Sequence, residues 1–152
     1  MLSECGIMLL CINIGGVTVQ ELYFKLIKDV ESLGISANFK LELSGYSKTY
    51  FGRYDPNTDK ITVYVYKDPK CTIMYDYKDL LLTVIHEVIH CMQWNDKSFI
   101  RRKGIMHDAE FHALYNQYSN RAKAYLLLRE VKYDNFFASH IGKAPTLCCR
   151  YG

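Results

Sequence analysis

Thr83–Gln93 reads TVIHEVIHCMQ and holds His86, Glu87 and His90 in the order H-E-x-x-H. On an α-helix, residues at i and i+4 lie one turn apart on one face, so both imidazoles can reach a single zinc ion. The helical period turns Glu87 about 100° from His86, which sets its carboxylate beside such an ion rather than on it. That is the arrangement needed to activate a water molecule. Upstream, Asp76 offers an N-cap, and Leu80, Leu81, Val84, Ile85, Val88, Ile89 and Met92 cover most of the circumference. A largely buried helix from Asp76 to about Gln93 is therefore expected. Polar groups carried inward on such a helix need a purpose, and the structural alternative is a pair of satisfied core histidines.

A catalytic zinc site needs a third protein ligand and an open position for water. The continuation H-E-x-x-H-x-x-G-x-x-H is absent, because position 93 is Gln and position 96 is Asp. His107 is the first choice. It precedes Asp108-Ala109-Glu110-Phe111, where an N-cap and an acidic first turn open another helix, so ordered backbone holds it while its ring can reach across. Glu110, His112 and His140 remain alternatives: a carboxylate ligand from a separate helix, a residue within that helix, and a residue of the irregular tail.

Moving outward, Thr18-Val19-Gln20-Glu21 has the capping-box pattern and opens an amphipathic helix ending at Gly34. From Asn38 the period changes to two, with Phe39, Leu41 and Leu43 on one face of a strand. Tyr50–Tyr54 and Ile61–Tyr66 flank the turn formers Asp55, Pro56 and Asn57 and read as a hairpin. The last helix is expected over about Ala109–Glu130, with an irregular tail over 131–152. The fold expected is α+β: one domain, helices packed on a small antiparallel sheet of about three strands, with the H-E-x-x-H on a buried helix.

The chain has 152 residues, 49% hydrophobic and 23% charged, which suits one globular domain with a core that needs no disulfides. A net charge of +3 does not by itself announce a nucleic-acid binder. None of the six cysteines forms a C-x-x-C pair, which favours reduced thiols in an intracellular compartment, cytoplasmic or nuclear. Cys91, on the metal helix, is expected to pack rather than ligate. Ile7–Ile14 is apolar but too short to span a bilayer, so residues 1–17 read as an accessory strand or leader and no membrane partner is expected.

Between the ligands, Lys97, Arg101, Arg102 and Lys103 surround Phe99. Such a segment can contact a phosphate backbone or an acidic substrate, or be a solvated loop. Trp94, one turn beyond His90, is expected in the core.

H-E-V-I-H, a polar loop, and then Met106-His107-Asp108-Ala109-Glu110-Phe111 leading into a helix together resemble the SprT-like zinc metalloprotease domain. A helix, a small sheet with the Tyr50–Tyr66 hairpin and then the metal helix follow in the same order, so the likeness covers roughly Thr18–Leu128. It implies that His86, His90 and His107 bind zinc, that Glu87 is the general base, and that the activity is proteolysis. By the same resemblance it implies the removal of proteins from DNA, including crosslinked ones. Two features depart from the family: Met106 and Asp108 flank the third histidine where members often have glycine, and Cys148 and Cys149 form no zinc ribbon. Other classes remain beside the peptidase: a zinc-containing DNA- or protein-binding module without turnover, and a zinc hydrolase of a non-peptide substrate. Oligomeric state is not readable from the sequence.

Overall fold

The computed structural model describes residues 13–14, 17–98 and 104–140. In chain order the elements are β1 (Asn13–Ile14), β2 (Val17–Thr18), α1 (Val19–Ser32), β3 (Lys40–Tyr46), β4 (Gly52–Asp55), β5 (Lys60–Tyr66), α2 (Tyr77–Asn95) and α3 (Ala109–His140). β1 and β2 form a short antiparallel ladder; β3, β4 and β5 form the main sheet. Three helices and this sheet make one small α/β domain.

The capping box forms at the start of α1: the Glu21 amide donates to Thr18 Oγ1 at 3.1 Å, and the Thr18 amide donates to Glu21 Oε2 at 3.3 Å. Both bonds satisfy amides that the first helical turn leaves without intrahelical partners. Leu22, Leu26 and Val30 bury one stripe of α1. The helix stops at Ser32, and Gly34 takes a left-handed φ of 84° that a side chain would strain.

The hairpin of β4 and β5 is antiparallel, as expected, but β3 pairs with β5 in parallel. The sheet is therefore mixed, in the order β3-β5-β4, rather than antiparallel throughout. The cause lies in burial: Ile61, Val63 and Val65 of β5 are wholly buried, so the most apolar strand takes the centre. β3 then has to flank β5 on the side away from β4. Its inward residues Leu41 and Leu43 are buried either way, so their alternation carries no information about partner or direction.

α2 buries Leu80, Leu81, Val84, Ile85, Val88 and Ile89 between the sheet and the other helices. Each fully buried aliphatic side chain contributes roughly 1.5–3 kcal/mol. α3 packs on α2 through Phe111 and Ala122, with Tyr115, Tyr118 and Tyr125 partly covered. α3 continues to His140, past the expected end at Glu130 and through a stretch read as irregular. Residues 131–140 contain no Gly or Pro to stop a helix, and the apolar stripe that set the expected end is not what terminates one. Among the described residues no helix is long and apolar enough to cross a membrane. Cys5, Cys11, Cys148 and Cys149, and most of the expected leader and tail, lie outside the described residues.

Candidate metal centre

Asp108 holds the third histidine in place. Its Oδ1 caps α3 by accepting from the Phe111 amide at 2.8 Å, and it also accepts from Gln93 Nε2 at 3.3 Å. Gln93 is a buried residue of α2, so the start of α3 is tied to the end of α2. His107, immediately before this cap, thereby faces His86 and His90.

The three rings converge. His107 Nε2 lies 3.1 Å from His90 Nε2 and 3.1 Å from His86 Nε2. A single imidazole nitrogen either donates one proton or offers one lone pair, so His107 cannot serve both neighbours as a hydrogen-bond partner in any one tautomer. A cation accepts lone pairs from all three. Tetrahedral zinc with Zn–N bonds of about 2.0–2.1 Å places its nitrogens about 3.3–3.4 Å apart, close to the distances here. Among the described residues, these histidines are the group whose ligand atoms, all within 4.8 Å of one another, can hold a metal ion. Phe111 packs against all three rings, with centroids 4.9 Å from His86, 4.6 Å from His90 and 4.7 Å from His107.

Glu110 and His112 stand apart from this cluster. Glu110 is exposed in the first turn of α3, and the exposed His112 ring has its centroid 6.4 Å from that of His107. His140 ends α3. Burial lowers His86 to about 4, helped by His107 and His112. It also lowers His90 to about 4, helped by His86 and His107. Both imidazoles therefore keep free lone pairs well into acid.

Glu87 is only 7% exposed on the same helix. Burial raises its carboxyl to about 7, against a smaller lowering by a hydrogen bond from the Tyr54 backbone. The sheet explains that bond. The Tyr64 amide donates to the Phe51 carbonyl at 2.9 Å, so the backbones of Phe51, Arg53 and Asp55 face β5, and alternation turns those of Gly52 and Tyr54 outward, toward α2. The edge strand thus lies directly against the helix at Glu87. Gly52 permits the approach: a Cβ there would stand 2.7 Å from Thr83 Cγ2 and 3.1 Å from Glu87 Cγ.

Histidines and glutamate line one cleft of about 940 Å3, walled by β4 and the segment before it, by α2, and by Ile105, Met106 and Tyr115. Volumes of roughly 300–1,000 Å3 are usual for ligand sites, and this one is at the upper end. Arg53 and Tyr115 bring polar groups to the walls.

Several expectations change here. Trp94 is 46% exposed and lines the cleft rather than the core. The helical period held the signal, because positions 86, 90 and 94 share one face. Cys91 is buried, as expected, and its thiol donates to Asp59 at 3.5 Å rather than joining the histidine cluster. Lys97 is exposed, while Arg101, Arg102 and Lys103 lie outside the described residues. Gly52 and the Tyr54 amide were missed, since a residue without a side chain and a backbone group leave no mark in a motif. Comparisons with protein-family models, with curated proteins and with solved structures found no match to this chain.

Proposed function

We propose that this chain is a zinc-dependent peptidase of the SprT-like kind. The observation that carries the reading is the convergence of His86, His90 and His107 on one point, with the buried Glu87 beside them at the floor of an open cleft. Three neutral imidazoles and no cysteine make a donor set suited to a catalytic zinc ion rather than a closed structural one. Bound there, zinc supplies a Lewis acid that polarises a peptide carbonyl and acidifies water.

The protein's own groups do the rest. His86 and His90 are fixed by the helix, and His107 by the Asp108 cap. Glu87 takes a proton from the attacking water and delivers it to the leaving amine. Its burial favours accepting a proton, and the Tyr54 backbone bond keeps the carboxylate aimed as it does so. Tyr115, whose ring centroid lies 5.8 Å from that of His86, and Arg53 are among the cleft residues able to donate to the oxyanion. The DNA association implied by the resemblance rests on Lys97, Arg101, Arg102 and Lys103.

Metal analysis of the zinc-loaded protein is expected to give about one equivalent bound, as one three-histidine centre requires. Glu87→Gln is expected to keep the metal and lose peptide cleavage. Cleavage undiminished in that zinc-loaded variant would overturn the role of Glu87, and failure to bind zinc would overturn the centre. For the DNA association, cleavage should rise on adding DNA and fall with salt; indifference to both would remove it.

A further inference from the structure

Half of the ten exposed large apolar residues among the described residues gather at one place. Tyr50, Phe51, Trp94, Ile105 and Met106 are all exposed, and all line the cleft that holds Glu87. Phe51 is 63% exposed and Met106 69%. Isolated apolar residues on a surface need no explanation, but several lining one cleft mark a candidate recognition surface. Among the described residues, the charges on the walls are Arg53 and Asp79 besides Glu87.

Phe51 and Trp94 are well separated along the cleft. Gly52, next to Phe51, rests on Thr83, and Trp94 lies three turns further along α2. At 1.5 Å per residue those helix positions are roughly 16 Å apart. An extended chain advances roughly 3.3 Å per residue, so about five residues bridge them. His86, Glu87 and His90 lie between.

We propose that the cleft selects unfolded polypeptide carrying bulky apolar side chains on both sides of the scissile bond, seated against Phe51 at one end and Trp94 at the other, with Ile105 and Met106 also on the walls. This inference rests on the peptidase reading. Such side chains are mostly buried in folded proteins, so a denatured or incompletely folded segment presents them and a native surface does not. The substrate class is therefore unfolded protein, recognised by its apolar side chains.

The test uses matched, internally quenched peptides with Leu or Phe, or else Asp or Gly, within two residues of the scissile bond on both sides. The zinc-loaded full chain is expected to cleave the apolar peptides with kcat/KM at least roughly 10-fold higher. Phe51→Ser and Ile105→Ser, both at exposed positions, should each shrink that ratio, chiefly through KM. Binding is read separately as the fluorescence change of Trp94, the single tryptophan, in zinc-loaded Glu87→Gln and in the metal-free chain. Both should bind the apolar peptides preferentially.

Equal cleavage of all peptides would overturn the inference and leave the peptidase reading standing. Preferential binding without cleavage by the zinc-loaded chain would support the apolar cleft and overturn the peptidase reading. Equal binding of apolar and charged peptides would overturn the inference. So would a dimer in sedimentation that buries Trp94 and that apolar peptide does not dissociate, because the rim would then belong to a second copy.

Discussion

Gly52 and Thr83 are packed so closely that any side chain at position 52 meets the threonine methyl group, with a Cβ standing 2.7 Å from Cγ2. Their contact sets the spacing between edge strand β4 and the metal helix, and through it the position of Glu87 beneath the Tyr54 amide. Gly52→Ala is expected to destabilise the protein by about 1–3 kcal/mol, the usual cost of overpacking, and to lower kcat more than it raises KM. Thr83→Ser removes the offending methyl and keeps the hydroxyl that donates to the Asp79 carbonyl at 2.9 Å. The double variant should therefore recover part of both losses. Thermal midpoints and steady-state kinetics of the four proteins check this, and the absence of any recovery would show that the damage arises elsewhere.

Glu87 sets activity against stability. Its carboxyl titrates at about 7 in the fold and at 4.5 when unperturbed, with burial the main cause. The folded pKa is the higher, so the stability linked to this proton is fully present below pH 4.5 and is lost as pH rises through about 7. The displacement corresponds to about 3 kcal/mol. Metal-free Glu87→Gln, which has no charge to bury, should therefore gain on the metal-free wild type as pH rises from 4.5 to 8. Chemical denaturation of both proteins across that range measures the gap; a gap constant with pH would show that Glu87 is not desolvated.

His86 and His90 shift the opposite way. Burial holds both at about 4, below the ordinary 6.5, so the unfolded chain binds these protons first and the metal-free fold loses stability as pH falls from 6.5 toward 4. Zinc added at neutral pH, where both rings are unprotonated, should add to the stability: at a free concentration of a hundred times Kd the gain is about 2.7 kcal/mol. His107→Ala should weaken zinc binding by more than the roughly 10–100-fold that loss of an outer-shell partner costs, and His112→Ala should not. Competition with a chromogenic chelator separates the two.

How much of this was legible in the sequence follows from the range of each interaction. His86, Glu87 and His90 share a helix, and His107 is announced by the cap beside it, so these residues could be found from local spacing alone. Gly52, the Tyr54 amide and the parallel pairing of β3 depend on how separate elements dock, and alternating apolar residues in β3 fit either neighbour. Trp94 is the instructive case. Tryptophan's bulk suggested the core, while its place on the histidine face pointed to the cleft, and the periodic signal was the better guide.

Asp29 marks the limit of such reading. It looks like one more polar residue of an amphipathic helix, yet it is buried, and its carboxylate accepts from the Tyr77 hydroxyl, from the Tyr125 hydroxyl at 2.9 Å and from Arg129 at 2.9 and 3.0 Å. Lys25 adds an ion pair at 3.4 Å. α1 is thereby joined to the first turn of the metal helix and to α3. Asp29→Ala would strand these donors, and because Arg129 is partly solvated the expected loss is about 2–4 kcal/mol, below that of a fully buried pair. Asp29→Asn keeps the shape and some of the acceptors and should cost less. Since the network touches α2 far from Glu87, both variants should retain zinc affinity and kcat at temperatures where they remain folded. Denaturation curves paired with zinc titrations test this, and a loss of zinc affinity in folded Asp29→Asn would show that the network also holds the metal helix in register.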